Sequence, residues 1–396
     1  MKRNIIIFDN NEVRKGMLPL TFTRPVAEVR VGITTIAEKW KSLLGSEASY
    51  SYLTVPYLKP KYSLTARKSN LMVAGHVIPT PEIAAKALEL KNGEALMAGS
   101  ELIAFNGSAA DFDARLFATE VQLGHQPLMV KRPFDVFTIN GEVLKADYDR
   151  ITEGRASQQL PPTCTVIGDS SLIFLEEGAT VDGATLNTRQ GPIYLGRDVE
   201  VMEGACVRGP FAAGDGSKVR IGAKVYGATT LGPQCKIGGE VENCVFIGYS
   251  NKAHDGYLGD AVVGEWCNIG GGTTASNLKN DYSEVKLWNY ASQRFERTGL
   301  QFCGPVLGDH CKTGVNSMLN TATVLGVGVN VHGSGFPRPF VASFQEGGNA
   351  GGFRDVTLKA FFTIAERVMA RRGKVLDECE RSILTAVHDI AEYKYK

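Results

Sequence analysis

Between residues 249 and 277 a stretch rich in Gly, Asn and Thr, YSNKAHDGYLGDAVVGEWCNIGGGTTASN, gathers side chains able to do proton chemistry. An imidazole can act as a general base at physiological pH, which makes His254 a candidate, with Asp255 or Asp260 near enough in sequence to orient the ring. Tyr257 offers a hydroxyl, and Asn268 and Asn277 offer carboxamides to a polar ligand. Main-chain N–H groups near Gly271 and Thr273 can approach a ligand closely because glycine leaves room. Lys252 can attract a phosphate. The same residues have plainer readings: a histidine at a turn bonds a neighbouring carbonyl, asparagines shape turns through their own backbone, and a tyrosine packs between layers. Residue type alone leaves both readings open.

The elements that must position these groups show a second regularity. From residue 175 onward aliphatic residues recur every six positions: Leu175, Val181; Leu195, Val201, Val207; Leu231, Ile237; Val263, Ile269; Leu307, Thr313, Leu319, Leu325, Val331. That period fits neither a helix nor simple strand alternation and is the signature of a parallel β-helix built from hexapeptides. Most of the 44 glycines fall after residue 165, where tight corners demand their backbone freedom. Cys235, Cys267 and Cys311 each follow an aliphatic position by four residues, as compact fillers of a narrow coil rather than zinc ligands. Residues 277 to 299 interrupt the rhythm, which makes them a loop leaving the solenoid.

Before the break at Pro161-Pro162 the pattern is strand then helix. Ile5 to Phe8 and Leu71 to Ala74 read as buried strands. Ile33, Ile36, Ala37, Trp40, Leu43 and Leu44 form a helical stripe, and Thr80-Pro81-Glu82 opens another helix. Such sheets place ligands outside the carboxyl ends of their strands, where Arg14, Arg24 and Arg30 are candidates to hold phosphate, Arg14 first. After Gly352 two helical stripes follow, the first ending at Arg371-Arg372-Gly373, and they are expected to cover an end or side of the solenoid. The expected segments are 1–160 (α/β), 161–345 (all-β, β-helix) and 346–396 (helical).

The formal charge of +1 gives no long-range pull toward nucleic acid or an anionic membrane, and no segment is apolar for long enough to cross a bilayer. Eight cysteines without CxxC spacing are expected to be reduced thiols in a cytoplasmic protein.

With those residues in view, HDGYLGDAVVGEWCNIGGGT (254 to 273) resembles the acetyl-transfer segment of the bifunctional N-acetylglucosamine-1-phosphate uridyltransferase and glucosamine-1-phosphate acetyltransferase family. The likeness covers roughly residues 165 to 335. RKGMLPLT (14 to 21) and LMVAGHVIP (71 to 79) are similar to nucleotidyltransferase motifs, so the first segment resembles a shortened, Rossmann-like sugar-nucleotidyltransferase domain. The family's glycine-rich phosphate loop is replaced by Asp9-Asn10-Asn11-Glu12, and His76 stands where a magnesium-binding aspartate is usual. Asp9, Asp147 or Asp149 would have to supply that ligand if Mg2+ is used.

The resemblance implies a left-handed β-helix, a homotrimer, and acyl transfer from acetyl-CoA or another coenzyme A thioester to an amino sugar phosphate or nucleotide sugar. It makes His254 the base and Tyr257, Asn268 and Asn277 substrate contacts; Lys252, by its charge, and Arg14, by its place at the sheet's ligand edge, are candidate phosphate contacts without a matching lysine pattern from the family. Gly271 and Thr273 would lie against the thioester. Two alternatives stand beside it: sugar-1-phosphate nucleotidyl transfer in the N-terminal domain, and a catalytically decayed sugar-nucleotide sensor or scaffold. His310 and His332 are expected to be structural.

Overall fold

A computed structural model describes residues 3–390. The N-terminal part is a mixed six-stranded sheet in the order 49–53, 4–8, 70–74, 101–107, 94–98, 119–122. Asn4–Phe8 runs parallel to both neighbours, and Asn70–Ala74 pairs antiparallel with Glu101–Gly107. Every residue of 4–8 and 70–74 is buried, as continuous apolar runs in a doubly covered sheet require. The stripe expected from Ile33 becomes helical only at Ile36, because Thr35 closes a capping box with Glu38 there. Thr80 caps the helix Pro81–Glu89 by accepting from the Ile83 N–H.

From Thr165 the chain winds a parallel β-helix of three faces. Three six-residue steps complete a coil, so Ile193 stacks on Phe211 and Phe211 on Thr229. Leu195, Val201, Val207, Leu231 and Ile237 point inward and are at most 1% exposed. Cys235, Cys267 and Cys311 are buried among them, and burial pushes the Cys235 thiol up to about 12. All eight cysteines are free thiols. The six-residue rhythm breaks before Val306, which stacks on Val262 as its next coil: after Thr274–Ala275 the chain leaves the solenoid and forms the antiparallel hairpin Lys286–Asn289 and Arg294–Arg297.

The second face of the β-helix is not open. Along its strands alternate residues serve two cores. Val263, Leu307 and Leu325 fill the solenoid, whereas Val262, Val306 and Val324 join the apolar cluster that also holds the N-terminal sheet. Polar ties cross the same junction: Arg24 pairs with Glu265 and Asp309, and the Asn140 carboxamide donates to Ala228 O at 2.7 Å. The helices Leu358–Ala370 and Glu378–Asp389 cover a side rather than an end. Phe361 packs on His310 and Phe344, Lys61 pairs with Glu380, and Arg372 reaches Asn251 on the third face.

Candidate functional site

His254 stands at the corner where the third face turns into the first. The strand Asn251–Lys252 delivers it there. Lys252 is 2% exposed, and its Nζ donates at 2.9 Å to the carbonyls of both Gly238 and His254. Burial lowers its pKa to about 8. This corrects the expectation that Lys252 meets a phosphate: its charge is spent inside the coil, holding the corner's main chain. The imidazole itself projects outward, exposed, and among the described residues it has no hydrogen-bond partner. Neither Asp255 nor Asp260 bonds it; Asp260 accepts instead from Asn243 and Asn277.

On the next coil Gly271 lies directly against the histidine, so that a Cβ there would sit 3.4 Å from the His254 Cβ. Among the described residues its N–H donates no hydrogen bond. Thr273 differs from expectation: its N–H donates to Gly270 O and its hydroxyl is engaged with Thr313 and Gly314, so it has no free donor for a ligand.

His254, Asn268 and Gly271 line one groove of about 790 Å³ between the third face and the end of helix Leu358–Ala370. Arg220, Lys236, Lys312, Arg371 and Arg372 also face it, and its lining contains no carboxylate. These cations were not anticipated as site residues, although a signal for them exists. Lys218, Lys236, Asn251, Asn268 and Lys312 occupy one register column, the outward position of successive third-face strands.

Tyr257 and Asn277 are not part of that groove in a single chain. The Tyr257 hydroxyl donates to Glu242 at 2.6 Å and accepts from the Asn277 amide at 2.8 Å, which also donates to Asp260 at 2.7 Å. The phenol runs along the first face over Gly259, where any Cβ would collide with it. Burial, then the Glu242 carboxylate, raises its pKa, so it stays protonated.

The N-terminal candidates are turned inward. Arg14 is buried, and its Nη1 donates to Thr21 O at 3.1 Å and to the Tyr57 hydroxyl at 3.2 Å, which corrects the expectation of a phosphate contact. Arg24 serves the domain junction and Arg30 donates to Ile247 O at 3.3 Å. Asp9 accepts from the Val26 N–H and the Thr54 hydroxyl, and burial raises its pKa to about 6. Asp147 is buried against Lys39 at 2.6 Å, and His76 is buried against Glu101. Among the described residues no three His, Cys, Asp or Glu groups gather as a metal site. These residues do not fit Mg2+, which demands several free oxygen ligands. His310 is buried between Trp266 and Phe361, and loss of solvation lowers its pKa to about 3, in keeping with a structural role.

Fold and site together define a class: an α/β domain docked on a hexapeptide β-helix that carries an exposed histidine. Residues 5–156 match the sugar nucleotidyl transferase family. The chain is 26% identical over 255 residues to the bifunctional protein GlmU of Synechococcus elongatus, covering 58% of this chain and 52% of that protein. It is 30% identical over 145 residues to the bifunctional sugar-1-phosphate nucleotidylyltransferase/acetyltransferase of Sulfurisphaera tokodaii, covering 36% of each. A further GlmU, from Synechococcus sp. (strain CC9311), is 32% identical over 187 residues, 43% of this chain and 36% of that one. The chain thus spans about half or less of the length of these relatives. Among the described residues no helix is long and apolar enough to cross a membrane.

Proposed function

We propose that the groove beside His254 transfers an acyl group from a coenzyme A thioester to the amine of an amino sugar phosphate or nucleotide sugar. The observation that carries this reading is the pairing of an exposed, partner-free imidazole with the free Gly271 N–H one coil away. His254 takes a proton as the amine nitrogen attacks the thioester carbonyl, and the Gly271 N–H donates to the oxygen as it gains charge. The C–S bond then breaks, and His254 returns its proton to the departing thiolate. Asn268, on the same wall, supplies a carboxamide for the acceptor. The Sulfurisphaera tokodaii relative, named as an acetyltransferase, supports the assignment. The free thiols accord with a reducing, cytoplasmic setting.

A homotrimer belongs to this proposal, because Tyr257 and Asn277 lie outside the His254 groove of their own chain. The decisive experiment incubates the protein with acetyl-CoA and a panel of hexosamine phosphates and follows thiol release. His254→Ala should abolish release with folding intact. Undiminished release in that variant, or none from the wild type with any acceptor, would overturn the reading.

A second reading, nucleotide-sugar binding by the N-terminal domain, is favoured by a separate pocket of about 340 Å³ near Ile78-Pro79, lined also by His125, Glu142 and Arg150. With Asp9, Arg14 and His76 all spent internally, binding without nucleotidyl transfer is the form this reading takes.

A further inference from the structure

The hydrogen bonds around Tyr257 have a direction. Glu242 and Asp260 stand at the two ends of a chain of contacts, and an ionised carboxylate can only accept. The phenol therefore donates to Glu242, at 2.6 Å, and it is the nitrogen of the Asn277 carboxamide that faces Asp260, at 2.7 Å. The second Asn277 N–H goes to the Tyr257 oxygen at 2.8 Å, and the other Asp260 oxygen is taken by the Asn243 amide at 2.7 Å. Gly259 leaves the space for this chain, because a Cβ there would collide with both the phenol oxygen and the Asn277 nitrogen.

A phenol has one hydrogen to give and an amide nitrogen two, and all three are spent. What Tyr257 and Asn277 can still offer a ligand is a lone pair on the phenol oxygen and the Asn277 Oδ1, to which nothing donates among the described residues. Both are acceptors. Glu242, Tyr257 and Asn277 are each half-buried, so a ligand can reach them, and among the described residues no cation pairs with Glu242 or Asp260. A phosphate dianion, which only accepts, would meet two carboxylates there and no donor from these side chains. A hydroxyl or an ammonium group would find a partner on either residue.

We propose that Glu242 is a specificity-determining residue for the acceptor: it holds the Tyr257 hydrogen away from the ligand, so that the sugar presents hydroxyl or ammonium hydrogens to Tyr257 and Asn277 and any phosphate lies elsewhere on the molecule. The proposal rests on the acyl-transfer reading for the role of Tyr257 and Asn277 as acceptor contacts. Glu242 touches the phenol and not the reacting atoms, so it is a positioning residue. Its effect falls on the choice between acceptors, where repelling the wrong one serves as well as attracting the right one.

Glucosamine 1-phosphate and glucosamine 6-phosphate carry their charge on different carbons of one sugar, and NMR titration of the full-length protein with each compares them. One ester should bind about tenfold or more tightly than the other, since like charges set side by side are strongly unfavourable. Glu242→Gln keeps an oxygen for the Tyr257 hydroxyl and removes the charge, and should narrow that gap roughly threefold or more. Tyr257→Phe frees an Asn277 N–H to donate and should narrow it independently. Equal affinity for the two esters in the wild type, a gap that neither variant changes, or binding of neither ester would overturn the proposal. If the gap is present and Glu242→Gln narrows it while the wild type releases no thiol from acetyl-CoA with either ester, the selectivity stands and acyl transfer falls. If thiol is released with equal kcat/KM for both esters, in the wild type and in Glu242→Gln alike, acyl transfer stands and the selectivity falls.

Discussion

Lys252 holds His254 in place from inside the coil: one ammonium bridges the His254 carbonyl and the Gly238 carbonyl of the preceding turn, each at 2.9 Å. The exposed imidazole therefore rests on a buried strut. Lys252→Met keeps the length of the side chain and removes both bonds. It should cost about 1–3 kcal/mol of stability, the usual penalty for buried acceptors left unpaired. It should also lower kcat for thiol release roughly 10- to 100-fold by misplacing the imidazole. Chemical denaturation and steady-state kinetics on the same preparation check both; unchanged kcat with reduced stability would show that Lys252 supports the coil and not the base.

Asp9 supplies a test of the N-terminal domain. Its folded pKa of about 6 lies above the unfolded value of 3.8. The folded state therefore holds the extra proton, and the stability this group contributes is fully present below pH 3.8 and lost as pH rises through 6. At pH 7.5 the ionised carboxylate is a burden. Asp9→Asn, which retains an acceptor for the Val26 N–H, should stabilise the protein at that pH by on the order of 1–3 kcal/mol. The gain should vanish below pH 4. Urea unfolding at pH 4 and 7.5 reads it, and thiol release should be unaffected. Loss of stability at pH 7.5 would mean that the anion is needed where it lies.

The hexapeptide spacing made the solenoid legible because each inward position admits only a narrow range of volumes, so Leu195, Val201 and Val207 announce the coil. Cys235, Cys267 and Cys311 announce it too, by their constant offset from an aliphatic residue. The docking of the two domains was written in the same strands but one position earlier. Val262, Val306 and Val324 are apolar where the equivalent third-face residues are Lys218, Lys236, Asn268 and Lys312. Read as two columns, the outward residues distinguish a covered face from a polar one. Arg14 misled for a different reason. Strand order alone put it at a ligand edge, but Thr21 and Tyr57 claim its donors, a long-range outcome that no local pattern encodes.

The junction between domains should be brittle at Arg24. Its guanidinium is buried with Asp309, which is itself 4% exposed, and Glu265 shares it. Arg24→Met leaves Asp309 buried without its counter-charge and should cost about 3–5 kcal/mol. Adding Asp309→Asn removes the stranded charge and should restore much of that loss. Thermal unfolding of the two variants and the wild type measures the coupling; equal melting temperatures for the single and double variants would show that the pair contributes no such interaction.

The separation of Tyr257 and Asn277 from the His254 groove leads to the last prediction. If both clusters serve one reaction, the acceptor must bridge the groove of one chain and the first face of another. His254→Ala and Asn277→Ala should then each be nearly inactive alone. A mixed oligomer formed from the two chains should recover part of the thiol release, because some interfaces pair an intact groove with an intact Tyr257 and Asn277 cluster. Light scattering fixes the oligomeric state of each variant first, and the mixture is then assayed against each protein alone. Should both variants assemble, exchange subunits and still show no recovery, the two clusters do not share a substrate. The polar network around Asn277 would then be a brace for the corner of the first face, joining Tyr257 to Asp260 as its hydrogen bonds already do.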